Sequence, residues 1–379
     1  MRVLHICNDF TGSKVHSNLY IKLDEMITRQ IVYTYFDGKE KVGQNRFISD
    51  KTEFIYDDIL NPYLRKLYPL KLWWVYHNLI KKINLSGIDC IHATTLFSDG
   101  GIAYKIFKEY GIPYIVAVRT TDLGTYLNRT KITWPYGRRV LLNAKRVILI
   151  NKSFENKLRT HEFSKDIWDE IKDKIVVQPN GIDDYWIKNI SRGPKTNNYK
   201  ICFVGTFIKR KNVPRLIDAV DTLHGEFPQL HLNLIGGGGL LNNEDDLVKS
   251  MAKERPYVSL LGRITDKDTM RGLYRENSIF AMPSWSETFG LVYIEALSQN
   301  LRLLYSNNDG IDGLLENVGV AVDPFSVDSI ADGLRNLFLE YEKFDGNKKI
   351  DFSLFDWDCI AKKYYNIYTS VGNNDIINS

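Results

Sequence analysis

Short apolar runs alternate with amphipathic stretches along most of this chain, which predicts a repeated order of strand and helix. In the first half, predicted strands follow an initial strand at residues 1–6 and cover residues 31–36, 89–92, 114–118, 146–150 and 174–177. In the second half, they cover residues 200–204, 232–235, 279–282 and 301–305, and residues 320–324 end a last strand. Because strands that alternate with helices build parallel sheets, the pattern predicts an α/β class with doubly wound, Rossmann-like sheets.

The length of the chain and one polar stretch predict two domains. A chain of 379 residues is too long for one ordinary core and suits two. Residues 191–199 contain Gly193, Pro194, Asn197 and Asn198, a composition typical of a linker. We therefore expect one domain over residues 1–192 and a second over residues 199–356. A closing helix at about residues 357–370 would return to the first domain, and the tail at residues 371–379 is predicted to be disordered.

Composition excludes several classes of protein. Hydrophobic residues make up 44% of the chain and charged residues 25%, with no apolar run long enough to cross a bilayer. A net charge of +4 is too small to indicate nucleic acid as a partner. The four cysteines are far apart in apolar surroundings, which favours buried thiols in a reducing cytoplasm over a zinc site or disulfides.

Residues 64–82 combine basic and aromatic side chains and contain no acid. Trp73, Trp74 and Tyr76 interleaved with Lys and Arg are typical of an interfacial helix on an anionic membrane. The alternative is an amphipathic helix that packs on the sheet and leaves a basic face in water. The sequence leaves both interpretations open.

Residues 279–300 carry the clearest candidate chemistry. An apolar run is followed by a polar turn with Glu287 and Gly290, and then by a predicted helix from residue 291 to 297. A helix that starts at the carboxyl end of a parallel strand offers free N–H groups to an anion. Gly290 would let a phosphate approach the amides of Leu291 and Val292, with Glu287 on one side and Glu295 on the other. This layout suits a diphosphate between a sugar and a ribose.

Glu287 and Glu295, with Phe289 and Gly290 between them, resemble the paired-glutamate signature of the retaining GT-B glycosyltransferases of the large bacterial family four. The resemblance implies two facing Rossmann-like domains with a cleft between them. It also implies sugar transfer from a UDP- or GDP-sugar to a glycan or lipid-linked acceptor, as in capsule, exopolysaccharide or lipopolysaccharide synthesis. No cofactor or metal is implied. Glu287 would orient the donor sugar, and Glu295 would bind the ribose diol.

The resemblance extends to further donor-binding positions. Lys211 stands where the family has a diphosphate-binding lysine, whereas Thr206 replaces the family's arginine after Gly205. Arg210 is the candidate to compensate for that charge. The remaining positions that the resemblance assigns to donor binding are Gly12, Gly236, Gly238 and Arg263.

On the acceptor side, the segment Arg119-Thr120-Thr121-Asp122 resembles the family's loop after the central strand, where many members have a histidine in place of Arg119. Arginine cannot act as a base, but its planar guanidinium can hold a phosphate or orient a carboxylate. Asp122 is then the candidate for contact with an acceptor hydroxyl. The alternative is an Arg119–Asp122 pair that only fixes the loop.

Asp266 and Asp268 are spaced like the ligands of a metal ion on a nucleotide sugar, yet they precede a predicted helix. Thr265 as the cap, with acids in the first turn, explains them more simply, and we expect activity to survive chelation.

Two other functions remain open from the sequence. One is a nucleotide-sugar epimerase on the same fold, and the other is a catalytically silent sugar-nucleotide binder, suggested by Thr206 and Arg119. The donor sugar, the base, the acceptor and the oligomeric state are not encoded in any motif that we identify.

Overall fold

The computed structural model describes residues 1–238 and 243–372, which form two compact units. Unit 1 consists of Met1–Ile150, Phe154–Gly181 and the segment that begins at Trp357, and unit 2 consists of Asn151–Ser153 and Ile182–Asp356. After Asn151–Ser153 the chain returns to unit 1, and it passes into the main part of unit 2 between Gly181 and Ile182, before the predicted linker.

The strands confirm the predicted α/β class. In chain order they are β1 (Arg2–Ile6), β2 (Arg29–Phe36), β3 (Thr52–Asp58), β4 (Cys90–Ala93), β5 (Tyr114–Val118), β6 (Arg146–Leu149), β7 (Ile175–Val177), β8 (Lys200–Gly205), β9 (His231–Gly236), β10 (Val258–Gly262), β11 (Ile279–Met282), β12 (Arg302–Ser306) and β13 (Gly319–Val322). The paired strands run parallel, in the order β3-β2-β1-β4-β5-β6-β7 in unit 1 and β10-β9-β8-β11-β12-β13 in unit 2.

Helices connect most of these strands. They are α1 (Lys14–Asp24), α2 (Pro62–Lys66), α3 (Tyr68–Lys82), α4 (Ser98–Tyr110), α5 (Leu127–Arg129), α6 (Trp134–Asn143), α7 (Lys152–Thr160), α8 (Trp168–Ile171), α9 (Asp184–Lys188), α10 (Val213–His224), α11 (Asn243–Lys253), α12 (Lys267–Glu276), α13 (Leu291–Ser298), α14 (Val327–Leu339) and α15 (Trp357–Gly372).

The strand β3 and the start of α1 differ from the sequence prediction. β3 was not predicted, because this edge strand is half-exposed and carries acids that interrupt its apolar pattern. The sequence pattern predicts a helix over about residues 17–28, whereas α1 covers Lys14–Asp24. The hydroxyl oxygen of Ser13 accepts a hydrogen bond from the Val15 amide at 3.3 Å and thereby caps the helix earlier.

The core of unit 1 includes β1, α1 and the closing helix α15. Leu19 and Leu23 of α1 are buried in one cluster with Ile360 and Tyr364 of α15. Val371 also lies in this core, and α15 continues to Gly372, so the predicted disordered tail is wrong at these two residues. The rest of that tail, residues 373–379, lies outside the described residues.

The predicted linker at residues 191–199 is fastened to unit 2. The Ser191 amide donates to the Ser298 carbonyl at 2.7 Å, and the Asn197 side chain donates to the Phe338 carbonyl at 2.9 Å. Lys195 donates to the Tyr274 carbonyl at 3.0 Å. A polar composition favours a linker only when no partner is available, and here the polar side chains bind backbone carbonyls of unit 2.

The four cysteines are free thiols, and the prediction that they are buried is confirmed for three of them. Cys7, Cys90 and Cys202 are buried, whereas Cys359 is half-buried on α15.

Candidate active site

The strand order places a change of direction between two neighbouring strands of each sheet. In unit 2 this point lies between β8 and β11, and in unit 1 it lies between β1 and β4. Ligands of open α/β sheets bind beyond the carboxyl ends of the strands at such a point. The loops after β8 and β11 contain Lys211, Glu287 and Gly290, so unit 2 brings the main predicted donor residues to this position.

Lys211 and Glu287 form an ion pair, although 75 residues separate them in the chain. Their side chains are only 12% and 11% exposed, so little water screens the pair. The Arg210 guanidinium lies 3.5 Å from the same Glu287 carboxylate and donates to the Ser286 carbonyl at 2.9 Å. Two cations and one acid are therefore gathered at the loop after β11.

Gly290 forms the turn from this loop into α13. Its φ of +78° is left-handed, and a Cβ there would lie 2.5 Å from Cδ2 of Tyr293 and 3.1 Å from Cγ of Glu287. The Tyr293 hydroxyl donates to the Met282 carbonyl at 2.5 Å, which fixes the ring against the glycine. Gly290 is the N-cap of α13, which begins with Leu291 and Val292, and no side chain caps the helix. A helix leaves its first N–H groups without partners inside the helix, so an anion could bind the amides of Leu291 and Val292.

Glycines also bring two strand ends of unit 2 together. Gly205 and Gly236 are paired at the last positions of β8 and β9, and a Cβ at Gly236 would lie 1.9 Å from the Gly205 carbonyl oxygen. The Gly238 amide donates to the Asp245 carboxylate at 2.7 Å. Gly239, the last residue of the four-glycine run, lies outside the described residues.

Asn212 holds three loops of this site together, and the sequence analysis missed it. Its backbone is left-handed at φ +62°, and its buried side chain donates to the carbonyls of Pro283 at 3.0 Å and Pro324 at 2.6 Å. It therefore links the loops after β8, β11 and β13. An asparagine between a basic turn and the helix starting with Val213-Pro214 was the available signal.

Glu295 lies on the side of α13 that faces α12. Burial raises the pKa of its carboxyl to about 7. The hydrogen bond that the carboxyl accepts from the Tyr274 hydroxyl at 3.4 Å acts in the opposite direction and lowers the pKa. The carboxyl is half-buried between the two helices.

Two other predicted donor residues are exposed. Thr206 follows β8, and its carbonyl accepts from the Ile208 amide at 2.9 Å. Arg263 follows β10, directly after Gly262 with φ +68°. Phe289, in contrast, is buried and packs against Phe355. Its role in unit 2 is to hold the loop next to Gly290.

In unit 1, Asp122 does not occupy the predicted position of an acceptor contact. Its carboxylate is 1% exposed and accepts from the amides of Leu96 at 3.0 Å, Phe97 at 3.1 Å and Arg119 at 2.9 Å. Burial raises its pKa to about 6, which these bonds oppose. The acid fixes the start of α4 and the end of β5. The segment after Arg119 is also helical, with a π-helical turn at Asp122–Tyr126, where a loop was predicted.

Arg119 lies half-buried at the carboxyl end of β5. Its Nε donates to the Thr94 carbonyl at 3.2 Å, and Nη1 donates to Asn180 Oδ1 at 3.4 Å. The alternative in which Arg119 and Asp122 fix the loop is partly right, but the bond runs from the Arg119 amide and not from its guanidinium.

A second buried acid and three histidines surround this edge of unit 1. Asp99 accepts hydrogen bonds from Tyr35 at 2.9 Å, Thr94 at 2.8 Å and Thr95 at 3.0 Å, and burial raises its pKa to about 7. The histidines share one property, since burial lowers the pKa of each and keeps the ring neutral: His5, His16 and His92.

The pair of acids at Asp266 and Asp268 serves the start of α12. Asp266 is the cap, since its carboxylate accepts from the Thr269 amide at 2.8 Å, so the predicted cap at Thr265 is wrong by one residue. Asp268 accepts from the Tyr185 hydroxyl at 2.6 Å and pairs with Arg271 at 2.9 Å. In residues 1–238 and 243–372, no three His, Cys, Asp or Glu side chains are grouped to hold a metal ion.

The basic aromatic segment forms two helices. Helix α3 packs into unit 1 through Leu72 and Tyr76, and Lys71 is buried with its ammonium 2.8 Å from the Ser98 hydroxyl. The outer face shows four large apolar side chains that are 41–53% exposed: Leu67, Leu70, Trp73 and Trp74. We call these four residues the outer face of α3. Within the part of the chain that the structure describes, no helix is long and apolar enough to cross a membrane.

Comparison with known proteins places the chain in a family. The family described as Glycosyltransferase Family 4 matches residues 29–185, and the one described as Glycosyl transferases group 1 matches residues 185–348. An uncharacterised glycosyltransferase of Methanocaldococcus jannaschii is 26% identical over 68% of this chain and 69% of its own length. The alpha-monoglucosyldiacylglycerol synthase of Acholeplasma laidlawii is 23% identical over 63% of each chain, which is less than two thirds of the synthase.

The fold has solved relatives as well. The crystal structure of HepE from Anabaena, in complex with UDP and glucose, is 17% identical, covers 99% of this chain and 98% of that chain, and gives a TM-score of 0.60. Two adjoining family matches and a fold shared over nearly the whole chain agree with the paired glutamates of unit 2. The chain belongs to the family four (group 1) glycosyltransferases and has the GT-B fold.

Proposed function

We propose that this protein is a retaining, metal-independent glycosyltransferase that moves a sugar from a UDP- or GDP-sugar to a hydroxyl of a glycan or lipid-linked acceptor. The observation that carries the proposal is the cluster of Lys211, Arg210 and Glu287 beside the uncapped start of α13. A nucleoside diphosphate matches this cluster because its charge is opposite to that of the cations and the helix end. The Anabaena relative, crystallised with UDP, supports a nucleotide donor.

Each group of the cluster takes a separate part of the donor. Lys211 and the amides of Leu291 and Val292 bind the diphosphate. Arg210 supplies the second positive charge, because Thr206 stands where the family has an arginine. Glu287 orients the sugar hydroxyls, and Glu295 accepts hydrogen bonds from the ribose diol. The two acids stand at the two ends of one short segment, so the diphosphate lies between them.

The chemical step needs charge stabilisation more than a nucleophile from the chain. The acceptor oxygen forms a bond to the anomeric carbon while the bond from that carbon to the diphosphate oxygen breaks. The acceptor proton passes to the departing phosphate, on the same face of the sugar, so the configuration is retained. Preorganised cations are most effective where negative charge develops, and that place is the leaving diphosphate.

The test measures transfer by the full chain after a melting screen against nucleotide sugars has selected the donor. We expect Lys211→Ala and Glu287→Ala each to reduce turnover on the order of a hundredfold. Lys209→Ala, an exposed lysine of the same turn, is the matched control and keeps normal turnover.

Several outcomes would contradict the proposal. Near-normal turnover of a folded Lys211→Ala or Glu287→Ala variant would show that the replaced residue does not have the role assigned to it. Isomerised sugar formed without any acceptor identifies an epimerase instead. Stabilisation by a nucleotide sugar with no turnover on any acceptor identifies a silent binder. Loss of activity after treatment with EDTA, restored by manganese, contradicts metal independence.

We also propose that the outer face of α3 binds an anionic membrane, where a lipid-linked acceptor would be found. Trp73 and Trp74 suit the depth of lipid headgroups, and the exposed Arg65, Lys66 and Lys81 supply positive charge on the same helices. The synthase of Acholeplasma laidlawii, by its name, makes a glycolipid, which agrees with such an acceptor.

Vesicle flotation tests this surface. The protein should float with vesicles of anionic phospholipid and not with phosphatidylcholine alone. Replacing both Trp73 and Trp74 by Ser should weaken flotation by about tenfold, because two aromatic anchors are lost. Phe325→Ser, which removes a 64% exposed side chain of unit 2, is the control. Equal flotation with both vesicle types would contradict the proposal.

A further inference from the structure

Trp285 and Phe325 form an aromatic pair at the carboxyl edge of unit 2 that has no role in the proposed donor chemistry. Trp285 lies in the loop after β11, two residues before Glu287, and Phe325 lies in the loop after β13. Their ring centroids are 5.8 Å apart and their planes differ by 20°, so the rings are stacked. Trp285 is half-buried, whereas Phe325 is 64% exposed. The pair therefore presents the Phe325 ring to solvent.

Arg215, in the first turn of α10, extends this stack. Its guanidinium carbon lies 5.9 Å from the centre of the Trp285 ring, and Nη1 donates to Asn212 Oδ1 at 2.9 Å. In the part of the chain that the structure describes, Arg215 forms no ion pair, and the indole N–H of Trp285 has no acceptor. Both side chains can therefore donate hydrogen bonds to a ligand. We call Trp285, Phe325 and Arg215 the aromatic platform.

Asn212 fixes the loops that carry the platform. Its side chain donates to the carbonyl of Pro283, two residues before Trp285, at 3.0 Å, and to the carbonyl of Pro324, directly before Phe325, at 2.6 Å. Its side-chain oxygen accepts the hydrogen bond from the arginine of the platform. Groups that are held in place before binding lose little conformational freedom when a ligand arrives. The platform is therefore preorganised.

The platform lies apart from the groups assigned to the nucleoside. Helix α10 connects β8 to β9, and α13 connects β11 to β12, which is the opposite direction along the sheet. Because such connections are right-handed, the two helices lie on opposite faces of the sheet. Helix α14, which follows Phe325, packs against α10. The platform is thus on the α10 side, whereas the proposed ribose contact of Glu295 is on the α13 side.

The size and chemistry of the platform suit one small ring. Among the described residues of the loops after β8, β11 and β13, Phe325 is the only exposed large apolar side chain. A stable protein interface buries about 800 Å² on each partner, which one exposed ring cannot supply. The exposed acids Asp323 and Asp328 flank Phe325 and would repel an anionic membrane. A sugar ring fits better, because it has an apolar face of C–H groups and a rim of oxygens that accept hydrogen bonds.

We propose, on the basis of the proposed transferase function, that the aromatic platform binds one sugar ring of a glycan chain. The apolar face of the sugar packs on the Phe325 ring, and N–H groups of Arg215 and Trp285 donate to oxygens at its rim. An enzyme that adds sugars to a glycan meets such a chain as acceptor or product. The platform would keep that chain beside the loop of unit 2 that carries Glu287.

The experiment follows the binding of oligosaccharides to the full chain by saturation-transfer NMR, with and without UDP. The panel contains neutral oligosaccharides of glucose and galactose and acidic ones with glucuronic acid. We expect at least one to bind, with the strongest signals from one sugar ring. Phe325→Ala should weaken its binding about tenfold, because the contact with an aromatic ring is lost, and Phe325→Tyr should retain it. The control Leu339→Ala, which removes a 67% exposed side chain at the end of α14, should bind normally.

Titrations with UDP separate the platform from the proposed function. If UDP does not bind to the wild type, the proposed function fails, whereas glycan binding that Phe325→Ala weakens still supports the platform. If UDP binds but no oligosaccharide does, or if Phe325→Ala binds the oligosaccharide like the wild type, the platform is wrong and the donor assignment stands. An equal loss of UDP affinity in Phe325→Ala would place this ring in the donor site and overturn the separate platform.

Two further measurements test other ligands for the same surface. Self-association of the wild type that Phe325→Ala abolishes, measured by sedimentation, would show that the platform joins two copies of the chain. Loss of vesicle flotation in Phe325→Ser would show that it contacts a membrane. Either result overturns the glycan assignment, and we expect neither.

Discussion

At the carboxyl edge of the unit 2 sheet, Lys211 and Arg210 from the loop after β8 stand together with Glu287 from the loop after β11. At the corresponding edge of the unit 1 sheet, Asp99 and Asp122 are buried and bound to groups of the protein itself. The strand order changes direction in both sheets, so topology alone does not explain the difference. The two edges differ in how their charged groups are used. Unit 2 gathers two cations around one acid in an ion-pair cluster, whereas unit 1 surrounds its acids with hydroxyl and amide donors that fix its loops.

The largest effect should come from filling the turn of unit 2 at Gly290. In Gly290→Ala, the new methyl group would collide with Tyr293, and alanine would be strained in the left-handed conformation of this turn, so the start of α13 and Glu287 must move. We expect the rate of sugar transfer to fall at least about a hundredfold, which is the effect of losing one key electrostatic contact. The measurement is the initial rate at saturating donor concentration.

Gly272→Ala is the matched control for this change. Gly272 lies in α12, and a Cβ there meets nothing within 4 Å. This variant should keep normal rates and be slightly more stable, because alanine favours a helix. Normal transfer by Gly290→Ala would show that the turn does not bind the diphosphate.

In unit 1, replacing a loop-fixing acid should affect stability instead of donor binding. In the wild type, three backbone N–H groups donate to the Asp122 carboxylate. In Asp122→Asn, the side-chain NH₂ group would face these donors. We expect the free energy of unfolding to fall by about 3 kcal/mol, since buried donors lose their acceptor. Chemical denaturation measures the loss, and UDP affinity should not change. Reduced UDP affinity with unchanged stability would contradict the comparison.

The pH dependence of stability gives a smaller and more specific test in unit 1. The pKa of Asp99 is raised from 3.8 to about 7 in the folded protein, so the folded state holds a proton that the unfolded state releases. The stability from this group is fully present below about pH 4 and is lost as the pH rises through 7. Between pH 5 and 7, the difference in stability between the wild type and Asp99→Asn should decrease by about 2 kcal/mol.

This difference is measured by denaturation of both proteins at each pH. Comparing the two proteins removes the opposing contribution of the buried neutral histidines, which lower stability as the pH falls below 6.5. A constant difference across the range would show that Asp99 is ionised when folded.

The smallest effect should follow from Glu295→Gln in unit 2. Glutamine keeps the shape of the side chain but removes the charge that would accept two ribose hydroxyls. We expect the dissociation constant for UDP to rise about tenfold by calorimetry, with little change in stability. An unchanged affinity would remove Glu295 from the ribose site.

Much of the fold and half of the candidate site could be predicted from the sequence. The apolar runs located the predicted strands, and β11 with α13 was placed to within one residue, because strand and helix periodicity and the turn at Gly290 are local properties. The same local signals misplaced the cap at Asp266 by one residue. They also missed β3, whose polar residues suit only a sheet edge.

What the sequence determined by itself was the class of fold, the glycine turn before α13 and the residue types available for binding a diphosphate. Only the tertiary structure decided which charged groups pair with each other and which are buried. The ion pair of Lys211 with Glu287 joins loops from two separate strands, and Asp122 lost its predicted role because three backbone amides surround it. A carboxylate has the same chemistry in both positions. Its role depends on its burial and on the hydrogen-bond donors that the fold places around it, and the neighbouring residues in the sequence determine neither.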